Sequence, residues 1–358
     1  MKILLLGDIN SAHVQRWAIG LSSKGMKIGL WSLAKAKEDW YTKHQIEVFG
    51  QERAGGGKFA YFFAHKDAEK ALKEFQPQIL HSHYASSYGM IGRKLNFHPF
   101  CISVWGSDIT HFPHGAFRRS IMRKNLAAAD AVFATSKFLS QILEVIWNKK
   151  NTIIPFGIDT DRFHPGKVRN HFTQKEVVIG TVKALETIYG IDATIAAFGM
   201  MKRRRPDIPA RLLIAGDGSM RRALMRQVQS DGIENFVKFI GKVPHQNVPD
   251  VHREIDVFVN LSHYESFGVS VLEASSCEKP VIVSNVGGLK EVVTDNYTGY
   301  LVEPMMIKKV SELMEKLAEN ESLRNQLGVR GREYVESTYN WEKNLNEMIA
   351  EYQKLISR

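Results

Sequence analysis

Residues 1–7, Met1-Lys-Ile-Leu-Leu-Leu-Gly7, hold a short apolar run, Ile3–Leu6, that passes through Asp8-Ile-Asn-Ser11 into a helix-like segment at 13–24, and a second apolar run follows at 27–32. Short apolar runs without polar alternation are strands buried on both faces, and such strands separated by helices pair in parallel. The alternation continues through strand-like runs at 78–82, 100–104, 131–134 and 151–154, with helices expected at 58–75 and 137–146. Runs near 177–182, 211–215, 236–240, 256–260, 280–284 and 299–302 repeat it in the second half. The expected fold class is α/β, with two doubly wound parallel-sheet domains. Ligands of such sheets bind beyond the C-terminal strand ends, so two domains facing each other are expected to share a cleft.

Between Pro155 and Lys175, proline, glycine and polar residues replace the periodic segments. We therefore expect an N-terminal domain at 1–165 and a C-terminal domain at 166–339. A last helix lies within 340–358, where Trp341, Leu345, Met348, Ile349, Tyr352 and Ile356 fall near helical spacing. A chain of 358 residues, 44% hydrophobic and 24% charged, supports two ordinary cores. No apolar run approaches the roughly 20 residues of a membrane span, and the first run is shorter than a signal peptide's hydrophobic region. Cys101 and Cys277 are isolated, lack metal-ligand spacing and fit a reducing cytoplasm.

The net charge of +10 needs a reason, and attraction to an anionic partner is one. Zinc-finger spacing and single-strand-binding aromatic motifs are absent from the sequence, so nucleic acid is not expected. An anionic membrane surface is the better candidate. Arg118, Arg119, Arg123 and Lys124 cluster with Phe112, Phe117, Ile121, Met122 and Leu126 interleaved, as in a helix lying on a bilayer; Lys202 to Arg205 form a second basic run. Gly55-Gly-Gly57 fails the phosphate-loop pattern, because Phe59 follows Lys58 where Ser or Thr is required.

The run Glu265-Ser-Phe-Gly268-Val-Ser-Val-Leu-Glu273 carries the most functional information. The first carboxylate, on a loop, can accept hydrogen bonds from sugar hydroxyls. The second, two turns into the following helix, can reach a ribose diol. Between them the amides of a helix N-terminus, with the positive end of the helix dipole behind them, suit an anion. Gly268 lets a phosphate come close to the backbone.

This run resembles the Glu-x7-Glu signature of the retaining family 4 glycosyltransferases, which have the GT-B fold of two Rossmann-like domains; the resemblance implies that the last helix, within 340–358, crosses back to the N-terminal domain. The resemblance extends to Ile154-Pro-Phe-Gly-Ile-Asp-Thr-Asp-Arg-Phe163, Ile214-Ala-Gly-Asp-Gly218, Phe239-Ile-Gly-Lys-Val243 and Val286-Gly-Gly-Leu-Lys-Glu291. It is dense from about Ile153 to Pro304 and looser through Trp105-Gly-Ser-Asp108 and Ala134-Thr-Ser136.

The resemblance implies transfer of a hexose-type sugar from a nucleotide-sugar donor, a UDP-sugar for preference, to a glycan or lipid-linked acceptor, without a cofactor or metal. It implies roles in surface polysaccharide or glycolipid synthesis, in the cytoplasm or on the inner membrane face. Glu265 is the expected contact of the donor sugar and Glu273 of the ribose, with Ser266, Phe267, Gly268 and Val269 between them. Gly216 and Val243 are expected near the nucleotide. Lys183 occupies the place of the family's diphosphate-binding Arg, as a point charge without a bidentate fork. The family's second cation should fall at 188 or 189, where this chain has Ile188 and Tyr189. On the acceptor side the resemblance points to Ser11 as a helix cap, His13, Trp105 as a stacking ring, and Asp108 as a hydroxyl acceptor or a cap. A GT-B sugar-nucleotide epimerase and a catalytically impaired nucleotide-sugar-binding protein are the alternatives.

Asp159-Thr-Asp161 has the spacing of a metal site but lies in the interdomain run, where Asp residues cap turns or pair with Arg162. His81 and His83 are taken to face opposite sides of their strand. Neither pattern leads us to expect a metal.

Overall fold

The computed structural model describes residues 1–50 and 64–357. The glycine triplet at 55–57 and its neighbour Lys58 lie outside them. Two compact units emerge: one comprises Met1–Phe156 with Glu342–Arg358, the other Gly157–Trp341.

The first unit holds strands β1 (Lys2–Leu6), β2 (Lys27–Trp31), β3 (Glu47–Phe49), β4 (Ile79–His83), β5 (Phe100–Val104), β6 (Ala131–Ala134) and β7 (Thr152–Ile153). They form one sheet in the order β3-β2-β1-β4-β5-β6-β7. The second unit holds β8 (Val177–Val182), β9 (Ala210–Ala215), β10 (Val237–Gly241), β11 (Val257–Asn260), β12 (Val281–Ser284) and β13 (Gly299–Val302), in the order β10-β9-β8-β11-β12-β13. Every pairing between these strands is parallel. The strand order reverses at β1/β4 in one sheet and at β8/β11 in the other, which opens a crevice beyond their C-terminal ends.

Burial explains the sequence pattern. Ile3, Leu4, Leu5 and Leu6 are all buried, so after Lys2 the strand β1 is apolar on both faces. Val257, Phe258 and Val259 do the same for β11 ahead of its last residue, Asn260. The helix Trp341–Ile356 contributes Tyr352 to the first unit's interior, where its hydroxyl meets His81 Nδ1 at 2.5 Å. His81 Nε2 meets Ser103 Oγ at 2.8 Å, so both ring nitrogens are satisfied. This helix also carries Asn344, whose amide donates to the Pro155 carbonyl at 3.2 Å. Leu355 is buried on its inner face, while Ile356, expected there, is exposed.

Several expectations need correction. His81 and His83 lie on one face of β4, because alternate strand residues share a side; their rings are 4.8 Å apart. Burial depresses both imidazoles, His81 to about 3 and His83 well below its usual value. In the helix Ala116–Ala127, Met122 and Leu126 are core residues. Phe117 alone among the large apolar residues of this helix is exposed, at 75%, beside exposed Arg118, Arg119, Arg123 and Lys124. Among the described residues no helix is long and apolar enough to cross a membrane.

Residues 169–171 are bound to the second unit by buried charge. Arg169 Nη2 donates to both carboxylate oxygens of Asp256, at 2.9 and 2.7 Å. Fully buried Glu254 accepts from the Asn170 and His171 amides at 3.0 and 2.7 Å. In the Asp159-Thr-Asp161 run, Asp159 accepts the Arg162 amide at 3.0 Å and so caps a turn. The Arg162 guanidinium turns to His245 Nδ1 at 2.8 Å rather than to either aspartate.

Candidate functional site

In the second unit, the expected donor residues all lie on loops at C-terminal strand ends or on the helix that follows β11. Lys183 directly follows β8. Its Nζ donates to Glu265 Oε2, on the loop after β11, and both side chains are largely buried, at 15% and 13% exposure. The ammonium also lies 4.5 Å from the centre of the Tyr189 ring. Gly216, after β9, has φ +139°, and a Cβ there would come within 1.8 Å of the Lys183 carbonyl. That glycine is required so that the β8 and β9 loops can touch. The Gly216 amide donates in turn to the Gly241 carbonyl at 2.8 Å, joining the end of β10 just before Lys242 and Val243.

The Glu265 loop is bound to a neighbour on its other side. The Gly288 amide donates to the Glu265 carbonyl at 2.9 Å, which brings Val286-Gly-Gly288 against Ser266 and buried Phe267. Gly268, at φ +106°, turns the chain into the helix Val269–Ser276. Val269 is therefore the first helical residue, and the N-terminus opens between Glu265 and Glu273. Glu273 is 12% exposed, and His252 Nε2 approaches its Oε2 at 3.4 Å. His252 is wholly buried against Phe163 and Phe258, at ring distances of 5.9 and 5.4 Å. Sequence reasoning missed His252: it comes from the helix Val248–Glu254, and no local spacing joins it to Glu273.

The acceptor-side residues of the first unit cluster after β1, β4 and β5. Ser11 stands at the N-cap of the helix Ala12–Ser23, but its side chain makes no capping hydrogen bond. His13 stacks on Phe156 at 3.9 Å with planes 13° apart. Trp105 is buried rather than an open stacking platform. His83, Phe156, Tyr84 and His13 surround it at 4.6, 5.4, 5.6 and 5.7 Å. Asp108 is also buried. Its carboxylate accepts the Ala85, Gly106 and Trp105 amides at 2.9, 2.9 and 3.2 Å, so it holds the turn and does not present itself to an acceptor. Burial raises its pKa against the lowering pull of those amides. Tyr84, which sequence reasoning passed over, directly follows β4 with φ +81°, a strained backbone for a residue with a side chain.

Among the described residues no group of three or more His, Cys, Asp or Glu side chains is arranged to hold a metal ion. The second unit thus offers one cation paired with one carboxylate, a helix N-terminus, and a second carboxylate beyond it. This set suits a phosphorylated sugar compound with hydroxyls at both ends.

A family profile described as "Glycosyl transferases group 1" matches residues 167–334, and one described as "Glycosyl transferase 4-like" matches residues 2–136. An uncharacterized glycosyltransferase of Methanocaldococcus jannaschii is 25% identical over 297 residues, covering 82% of this chain and 80% of the relative. The N-acetyl-alpha-D-glucosaminyl L-malate synthase of Bacillus anthracis is 26% identical, covering 82% and 78%. Among solved structures, sucrose-phosphate synthase from Thermosynechococcus elongatus superposes with a TM-score of 0.85 at 20% identity, covering 100% of this chain and 99% of the other. Anabaena HepE in complex with UDP and glucose gives a TM-score of 0.81 at 18% identity, covering 99% of each. These likenesses establish the GT-B fold.

Proposed function

Because the chain belongs to the group 1, family 4-like glycosyltransferases, we propose that it transfers a hexose-type sugar from a nucleotide donor, with retention and without a metal ion. The observation that carries this reading is the Lys183–Glu265 pair, with the helix N-terminus and Glu273 beyond it. Paired in this way, the two charges neutralise each other. A donor would exchange the pair: its diphosphate takes the Lys183 ammonium, and the released Glu265 carboxylate accepts hydroxyls of the sugar. Glu273, steadied by His252, holds the ribose.

The chemical step needs little from the protein beyond this. The bond between the anomeric carbon and the diphosphate oxygen breaks, while the acceptor hydroxyl forms its bond on the same face. The acceptor proton passes to the departing diphosphate oxygen. Lys183 and the helix N-terminus stabilise the charge that grows there.

A UDP-sugar is the proposed donor, supported by the UDP and UDP-glucose held by the HepE structures. GDP-mannose is the competing donor, since a Corynebacterium glutamicum relative 32% identical over 204 residues is a GDP-mannose-dependent mannosyltransferase. The proposed acceptor is a glycan or lipid-linked sugar. Exposed Phe117 with Arg118, Arg119, Arg123 and Lys124 would rest on the anionic inner face of the cytoplasmic membrane. Tyr189 in place of a second cation favours one rival, a nucleotide-sugar-binding protein without transfer.

The test is the purified protein against UDP-glucose, UDP-N-acetylglucosamine, GDP-mannose and ADP-glucose in EDTA, followed by melting temperature and nucleotide release. One donor should raise the melting temperature and release its nucleotide. Binding without release would favour the rival, and no binding would overturn both. Lys183→Ala should lower release far more than binding of the intact donor.

A further inference from the structure

We propose that Tyr189 is a positioning residue for Lys183, its ring face holding the ammonium where the donor diphosphate arrives. This rests on the diphosphate role of Lys183 proposed above. Lys183 has a long flexible stem and two partners of different kinds. Glu265 neutralises the ammonium. An aromatic face attracts a cation without cancelling its charge. Only the second contact is compatible with a cation that must also serve a diphosphate.

The backbone beneath Tyr189 is fixed on two sides. It ends the short 3-10 turn Thr187–Tyr189, and its amide donates to the Glu186 carbonyl at 3.0 Å. The neighbouring Ile188 carbonyl accepts the His263 amide at 2.8 Å, from the loop that carries Glu265. The ring also packs on the second unit's hydrophobic core. Tyr189 is thus a fixed surface against which a mobile cation can be set. When Glu265 leaves for the sugar, the ring keeps Lys183 in place. A neutral phenol cannot share the diphosphate charge as a second ammonium would, so its contribution passes through Lys183.

The experiment is a double-mutant cycle. Tyr189→Leu and Tyr189→Phe are made in the parent chain and in Lys183→Met. UDP and GDP affinity are measured by calorimetry, and nucleotide release is measured from UDP-glucose, UDP-N-acetylglucosamine and GDP-mannose. In the parent chain Tyr189→Leu should weaken diphosphate binding and slow release about 3- to 30-fold, while Tyr189→Phe stays near the parent. In Lys183→Met, Tyr189→Leu should add nothing. An equal loss in both backgrounds overturns the proposal and leaves the role of Lys183 standing. If Lys183→Met keeps parental binding and release, the diphosphate assignment itself fails, and the proposal with it. Should Tyr189→Leu not melt cooperatively, Tyr189→Phe still decides: a fall to the Lys183→Met level overturns the proposal.

Discussion

His252 Nε2 lies 3.4 Å from Glu273 Oε2, and the ring that makes this approach has no exposed surface. The imidazole packs against two phenyl rings, and its Nε2 is the polar atom that faces the Glu273 carboxylate from this wall of the second unit. His252→Phe keeps the packing and removes the polar contact. We expect it to weaken UDP binding about 3- to 10-fold, in line with the loss of one modest polar interaction, with the melting temperature nearly unchanged. Unaltered affinity in a folded variant would show that Glu273 does not depend on His252.

Glu265→Gln separates binding from turnover. The change removes the carboxylate that neutralises Lys183. Nucleoside diphosphate affinity should therefore hold or rise. Sugar release should fall about 100- to 1000-fold, the scale of losing one well-placed polar group in a transition state. Calorimetry with UDP and steady-state release from the accepted donor measure the two effects.

Asp108 predicts a stability defect without an acceptor defect. Asp108→Ala leaves three buried amides without an acceptor, at a cost of about 2–4 kcal/mol. Urea unfolding should register that loss. The acceptor KM of the folded fraction should stay at the parent value, and a large rise in it would restore Asp108 to the acceptor site.

The two histidines of β4 make the first unit sensitive to acid. His81 ordinarily titrates near 6.5 and is held at about 3 by burial, and His83 is depressed in the same direction. The folded chain therefore binds fewer protons than the unfolded one between these values. Their contribution is complete above pH 6.5 and drains away as the pH falls toward 3, by up to about 1.4 kcal/mol per pH unit for each ring. Unfolding midpoints measured from pH 7 to 4 should show this slope, and His83→Gln should reduce it.

Phe117→Ser is expected to weaken binding to vesicles containing anionic lipid while leaving release from soluble donor unchanged. Removing Arg118 and Arg119 together should weaken it further, by about 1 kcal/mol per charge. Vesicle flotation at low and physiological salt reads both effects.

The doubly wound pattern was legible because nearly every strand is an apolar run buried on both faces. β3 escaped notice because Glu47-Val-Phe49 is only three residues long and lies at a sheet edge with partial burial. The Glu265 and Glu273 spacing across a strand-to-helix turn was legible in the sequence, and Lys183 was pointed to by the family resemblance; the fold sets Lys183 against Glu265. His252 and Tyr84 were not: one reaches the site from another helix, and the other is marked only by its backbone angle. For Asp108 the sequence left a hydroxyl acceptor and a cap open, and the backbone amides that reach its carboxylate match the cap; the aromatic neighbours around Trp105 come from distant segments that no local spacing announces.

The first unit is not a continuous stretch of chain. Tyr352 fills its interior beside His81, yet the whole second unit, Gly157–Trp341, is encoded between them. During synthesis the second unit has all its strands before the first has its last helix. The first sheet must wait with the pocket around His81 unfilled until residues 342–357 emerge. A nascent chain cut short within that helix would carry a finished second unit and an open first one, a state that quality-control proteases can recognise.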